Sequence, residues 1–120
     1  MKLREVRPML TTLDPKGTVD FYETRLGFRC EARSADWGWA SLERDGVRLM
    51  IARPNDHEPF DKPAFTGSLY FYSDDVDAAW LELEGKAEVC YPIEDFEYGM
   101  REFAIYDNNG YLLQFGQEIP

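Results

Sequence analysis

Histidine is almost missing from this chain: among 120 residues, His57 is the single one. A centre built from two histidines and a carboxylate therefore cannot form within one copy. Cysteine is nearly as scarce. Cys30 and Cys90 stand 60 residues apart with no histidine near either in sequence, and no Gly-x-Ser-x-Gly elbow occurs, so nucleophilic catalysis finds no support. In a reducing compartment, two thiols in apolar strands are expected as reduced core residues rather than as a disulfide. No apolar run approaches the roughly 18 residues that suggest a membrane span. Met1-Lys2-Leu3-Arg4-Glu5 leads straight into polar-apolar alternation without a signal-peptide pattern, which makes a cytoplasmic location the expectation. Positive charge is the minority sign, 13 Lys and Arg against 23 Asp and Glu, for a formal net charge of −10. Such a surface repels phosphate backbones and anionic lipid, so neither nucleic acid nor membrane is an expected partner. It favours solubility first and cationic ligands second.

What the chain has in quantity is aromatic residues, 15% of the total, enough to argue for a packed core despite the charge. It also has an internal repeat. Around Asp14 the order is apolar strand, acidic cap, helix, then strands separated by Asp45-Gly46; around Asp75 it recurs and ends at Asn109-Gly110. The caps are 61 residues apart and the turn glycines 64. In the first copy the pattern predicts a strand over 6–12, a helix over 15–26 capped by Asp14-Pro15, and strands over 28–33, 37–43 and 47–52. In the second it predicts a strand over 68–73, a helix from Asp74-Asp75 to about residue 84, a short strand over 88–91, and a final hairpin over 100–107 and 111–115. Between the copies, Pro54, Pro59 and Pro63 mark a linker that contains His57. Residues 92–99 read as an acidic, aromatic loop. The modules span about 5–53 and 66–117 of one domain, with the linker over 54–65. The predicted class is α+β, two βαβββ modules forming a curved eight-stranded mixed sheet.

Several segments carry a resemblance. Val19-Asp20-Phe21-Tyr22 with Leu26-Gly27-Phe28, and Arg101-Glu102-Phe103-Ala104 with Asp107 and Gly110, are similar to the vicinal oxygen chelate superfamily. That superfamily includes glyoxalases, extradiol dioxygenases and bleomycin-resistance proteins, and these segments look most like the bleomycin-resistance branch. The resemblance covers about residues 5–117. It implies a cytoplasmic homodimer with a small-molecule pocket, often with an exchanged N-terminal strand, here the apolar 6–12.

Metal-using relatives place ligands on the first and last strand of each module. Here those positions fall at Arg7, Met50, Ser68 and Gln114. Arginine has no lone pair to offer, methionine suits soft ions, and neutral serine is a poor ligand. Only Gln114 is plausible, so neither a metal nor any other cofactor is expected, and the chain is read as a binding protein rather than an enzyme. Strand alternation groups Arg7, Met9 and Thr11; Arg48, Met50 and Ala52; Ser68, Tyr70 and Tyr72; and Leu112, Gln114 and Gly116. The expected ligand-binding set is Trp37, Trp39, Met50, Ser68, Tyr70, Glu97, Tyr98, Arg101 and Gln114. In it, Trp37 and Trp39 share a strand face, and the loop with Glu94, Asp95, Glu97 and Tyr98 attracts and stacks on cations. Arg101 and Glu102 point to opposite faces, with a cross-sheet ion pair as the plainer role for both. The expected function is metal-free sequestration of an aromatic or cationic compound, as in antibiotic resistance of the bleomycin type. The alternative is a metal-dependent lyase or isomerase of the glyoxalase type with ligands moved to Glu43, Glu102 or Asp107.

Overall fold

Two aspartates start the two helices. The Asp14 carboxylate accepts the Gly17 N–H at 3.0 Å, and Pro15 opens α1 (Pro15–Arg25) with its φ already helical. The Asp75 carboxylate accepts the Ala78 N–H at 3.1 Å and opens α2 (Val76–Leu83). A side chain at position 17 would overlap the capping carboxylate, so glycine is required there.

The computed structural model describes residues 1–55 and 61–120. The chain divides into two compact units, Met1–Lys62 and Pro63–Pro120, and the class is α+β. Around α1, the first unit contains β1 (Met9–Thr11), β2 (Arg29–Arg33), β3 (Trp39–Arg44) and β4 (Val47–Ala52). Around α2, the second contains β5 (Leu69–Tyr72), β6 (Glu88–Asp95), β7 (Met100–Tyr106) and β8 (Leu112–Glu118). Each is a βαβββ module. The sheet orders are β1-β4-β3-β2 and β5-β8-β7-β6, with one parallel pair, β1/β4 and β5/β8, in each.

Each helix covers one face of its own sheet. In the first unit Leu10, Ala40, Leu42, Leu49 and Ile51 are buried with Val19, Tyr22 and Leu26 of the helix side. In the second, Phe103, Ile105 and Leu113 are fully buried. Phe71, Phe115 and Phe103 stack in a row at 5.0 and 5.1 Å, and Trp80 of α2 closes on Phe103 at 5.1 Å. Each such side chain contributes about 1.5–3 kcal/mol by leaving water.

The structure corrects the sequence reading in four places. The first strand is 9–11, not 6–12. Pro8 gives its carbonyl to the Met50 N–H at 2.8 Å but has no N–H to carry the ladder further, and Val6 is exposed. Trp37 lies in the turn before β3 with φ 62°, so it does not share a strand face with Trp39. The second strand of the second module, β6, continues to Asp95 instead of stopping at Pro92. That proline sits on an edge strand at a register shift, where no ladder donor is needed. Both cysteines are free, but Cys90 is exposed and only Cys30 is half-buried, so Cys90 is no core residue. His57 and part of the expected linker lie outside the described residues.

Candidate functional site

The side chains with the most chemistry stand on the face of the second sheet turned away from α2. Alternation along β7 sends Arg101, Phe103 and Ile105 to the helix side, and Glu102 and Ala104 to the other. Glu102 is 1% exposed, although it is a carboxylate. Its Oε1 accepts the Tyr70 hydroxyl at 2.9 Å, and its Oε2 accepts the Tyr91 hydroxyl. Gln114 donates its Nε2 to the Tyr91 oxygen at 2.9 Å and accepts the Ser68 hydroxyl at its Oε1. One chain of polar contacts therefore runs from Ser68 through Gln114 and Tyr91 to Glu102 and Tyr70.

Two local features build this array. The register jumps from Val89↔Ile105 to Tyr91↔Ala104. The extra residue, Cys90, turns Tyr91 from the helix side to the Glu102 side, as a bulge re-aims a side chain. Opposite Glu102 stands Gly116. A Cβ there would overlap the Tyr70 hydroxyl, so glycine gives the phenol its path across β8 to the carboxylate.

Rings surround the carboxylate. Tyr91 meets Phe96 at 5.5 Å, Phe96 stacks on Tyr98 at 5.4 Å, and Tyr70 meets Tyr72 at 5.2 Å. Tyr98 is 61% exposed. Partial desolvation of its hydroxyl, and then the neighbouring Glu102 carboxylate, push its pKa up to about 12. Burial first and Glu102 second raise Tyr70 and Tyr91 further. All three phenols thus remain protonated donors at neutral pH. No Lys or Arg lies within ion-pair distance of Glu102 among the described residues. Such a group is retained only because its oxygens are hydrogen-bonded, since an unsatisfied buried carboxylate is costly.

The matching face of the first sheet is of another kind. Arg48 Nε meets Glu31 at 2.9 Å, and Arg7 reaches the same carboxylate at 3.9 Å. Arg7 also donates to Ser41 Oγ at 3.3 Å and pairs with Glu5 at 2.9 Å. Trp39 Nε1 donates to Met50 Sδ at 3.3 Å. Charges here neutralise one another.

The nine residues singled out in the sequence fall into separate groups. Ser68, Tyr70, Tyr98 and Gln114 come together around Glu102. Glu97 is exposed in the turn beside Tyr98. Trp39 and Met50 touch each other on the first sheet. Trp37 carries Arg33 at 4.0 Å and Lys16 at 5.5 Å over its ring, so the chain's own cations occupy that platform. Arg101 is held on the helix side by Asp77 at 2.9 Å and Asp95 at 3.0 Å, away from the phenols. Sequence reading missed Tyr91 and placed Phe96 only within the acidic-aromatic loop, and it placed Glu102 as an ion-pair, general-base or relocated-ligand residue. A Tyr-Pro step beside a bulge is a weak signal at best.

The four positions at which the resemblance implies metal ligands do not fit a metal here. Arg7 is an ion-paired guanidinium, Met50 a thioether receiving a hydrogen bond, and Ser68 and Gln114 are bound to each other. The relocated set fares no better. Glu43 pairs with Arg29 at 2.9 Å and accepts the Gly46 N–H, and Asp107 accepts the Asn109 and Tyr111 N–H groups of its turn. Among the described residues no three His, Cys, Asp or Glu side chains stand together as a metal site.

Residues 6–115 match the glyoxalase/bleomycin resistance protein/dioxygenase superfamily. A bleomycin-binding protein complexed with bleomycin has 26% identity and a TM-score of 0.77, covering 97% of this chain and 99% of its own. A bleomycin resistance determinant encoded on the transposon Tn5 has 25% identity and a TM-score of 0.78, covering 97% and 98%. A protein of unknown function from Agrobacterium tumefaciens shares the fold at 24% identity and a TM-score of 0.79, covering 99% and 97%. No curated protein matches. With the match spanning nearly its whole length, the chain belongs to the glyoxalase/bleomycin resistance protein/dioxygenase superfamily.

Proposed function

We propose that this protein binds and sequesters a small aromatic or cationic compound of the bleomycin type, without a metal and without chemical conversion, and that the Glu102 face of the second sheet is the recognition surface. The observation that carries this reading is a buried carboxylate held by two phenols and flanked by further aromatic side chains, with no Lys or Arg paired to it among the described residues. Rings supply stacking area and the carboxylate supplies charge, the two features an extended aromatic cation needs. The similarity to a bleomycin-binding protein supports the same class of ligand. Sequestration asks only for complementarity, which the unsuitable residues at the metal positions leave intact. The active form is a homodimer in this reading.

Calorimetry and thermal unfolding with bleomycin test it. A ligand present at about 100 times its Kd adds about 2.7 kcal/mol to stability, a readily seen rise in Tm. No heat and no shift with metal-free bleomycin would overturn the bleomycin-type reading. One zinc, nickel or iron per purified chain by elemental analysis would overturn the metal-free part and bring the glyoxalase-type alternative forward.

A further inference from the structure

Charge is divided unequally between the two units. Met1–Lys62 holds 11 Lys and Arg against 11 Asp and Glu, net 0; Pro63–Pro120 holds 2 against 12, net −10. The whole formal charge of the chain thus sits in the unit that contains Glu102. Of its two cations, Arg101 is taken up by Asp77 and Asp95.

Resting on the binding function proposed above, we infer that the group this face selects is an alkylated ammonium, tertiary or quaternary, seated against the Tyr91, Phe96 and Tyr98 rings above the Glu102 carboxylate. Burial disfavours any cation that must donate hydrogen bonds to Glu102 directly, since that side chain is 1% exposed. Both Glu102 oxygens already accept phenol protons. A primary ammonium must find three acceptors and a guanidinium wants a bidentate carboxylate, and the buried Glu102 offers neither to a ligand. A hard metal ion needs several oxygen ligands, and one phenol-capped carboxylate does not provide them. What the face offers freely is negative potential and ring surface. A cation whose N–H bonds are replaced by methyl groups needs only those, which is why aromatic cages suit it. The exposed Glu94, paired across from Glu102, adds negative potential to the same face.

The test compares choline, its neutral isostere 3,3-dimethyl-1-butanol, and ethanolamine by NMR titration of the intact chain. The expected result is shifts of the Tyr91, Phe96 and Tyr98 ring signals. Choline should bind at least fivefold tighter than the neutral isostere and tighter than ethanolamine, with weakening in high salt. Glu102→Gln should abolish the preference for choline. Should that buried variant fail to fold, Tyr98→Leu at an exposed position should weaken choline at least threefold without changing unfolding. Equal binding of choline and the neutral isostere would overturn the inference while leaving an aromatic-binding surface in place. Tighter binding of ethanolamine would overturn the alkylation requirement. No shift with any of the three would also overturn it, and the bleomycin titration then decides independently whether the binding function stands.

Discussion

The two modules share one architecture and differ on one face. Their helix-covered faces are built alike, from a capped helix over apolar strands, and both have a register shift in the second strand, between Cys30 and Ala32 and between Val89 and Tyr91. On the opposite face the first module sets Arg7 and Arg48 against Glu31, and Trp39 against Met50. The second sets two phenols and an amide around Glu102, with no Lys or Arg paired to it among the described residues. A face that neutralises its own charges has little left to recognise. One that buries a carboxylate behind phenols retains an unspent field, which is why ligand selection is proposed there.

The largest effects should be those that ignore the difference. Leu42→Ala and Leu113→Ala each remove a side chain with no exposed surface. Each should cost about 2–5 kcal/mol in urea unfolding, and a loss confined to one module would break the likeness of the two cores.

The next effect should separate the modules. Gly116→Ala pushes Tyr70 off its path to Glu102 and leaves a buried acceptor short of a donor, a loss of about 1–3 kcal/mol. Glu31→Gln removes a partly exposed ion pair, which screening limits to about 0–1 kcal/mol. Equal losses would mean that the Glu102 array is no more than another surface network.

A spectroscopic difference is smaller in energy but specific. Tyrosinate absorbance should show Tyr98 titrating near about 12 rather than 10.0, with Tyr70 and Tyr91 later still. These phenols are raised by folding, so the stability they contribute is complete below the ordinary tyrosine pKa and is lost as pH rises through the folded values. Glu102→Gln should bring all three downward, since an anionic acceptor no longer opposes their ionisation. Unchanged titrations would disconnect the phenols from Glu102.

The smallest effect is expected at Arg101. Its two partners are exposed carboxylates on the helix side, so Arg101→Ala should leave ligand affinity unchanged at moderate salt and alter unfolding within measurement scatter.

Most of the fold was legible because its signals are local: Asp14 before Pro15, Asp75 before Val76, glycines at the two hairpin turns, and apolar alternation in the strands. Ser68, Tyr70 and Gln114 were legible as neighbours because a regular sheet keeps alternate residues on one face. Tyr91 was not, because the residue inserted at Cys90 reverses the alternation, and nothing in the local composition announces it. Trp37 failed for a related reason: a left-handed backbone in the turn over 34–38 takes it out of the strand whose face it was expected to share. Arg101 was seen to oppose Glu102 across β7, but which of them faced the helix depended on tertiary packing.

The central claim is that recognition belongs to the Glu102 face and not to its counterpart in the first module. Mapping amide and ring NMR shifts during a metal-free bleomycin titration tests it most directly. The account predicts perturbations at Tyr70, Tyr91, Phe96, Tyr98 and Gln114 that are lost in Glu102→Gln, while Arg48 and Glu31 stay unmoved. Shifts centred on Arg48, Glu31, Trp39 and Met50, and insensitive to Glu102→Gln, would contradict it.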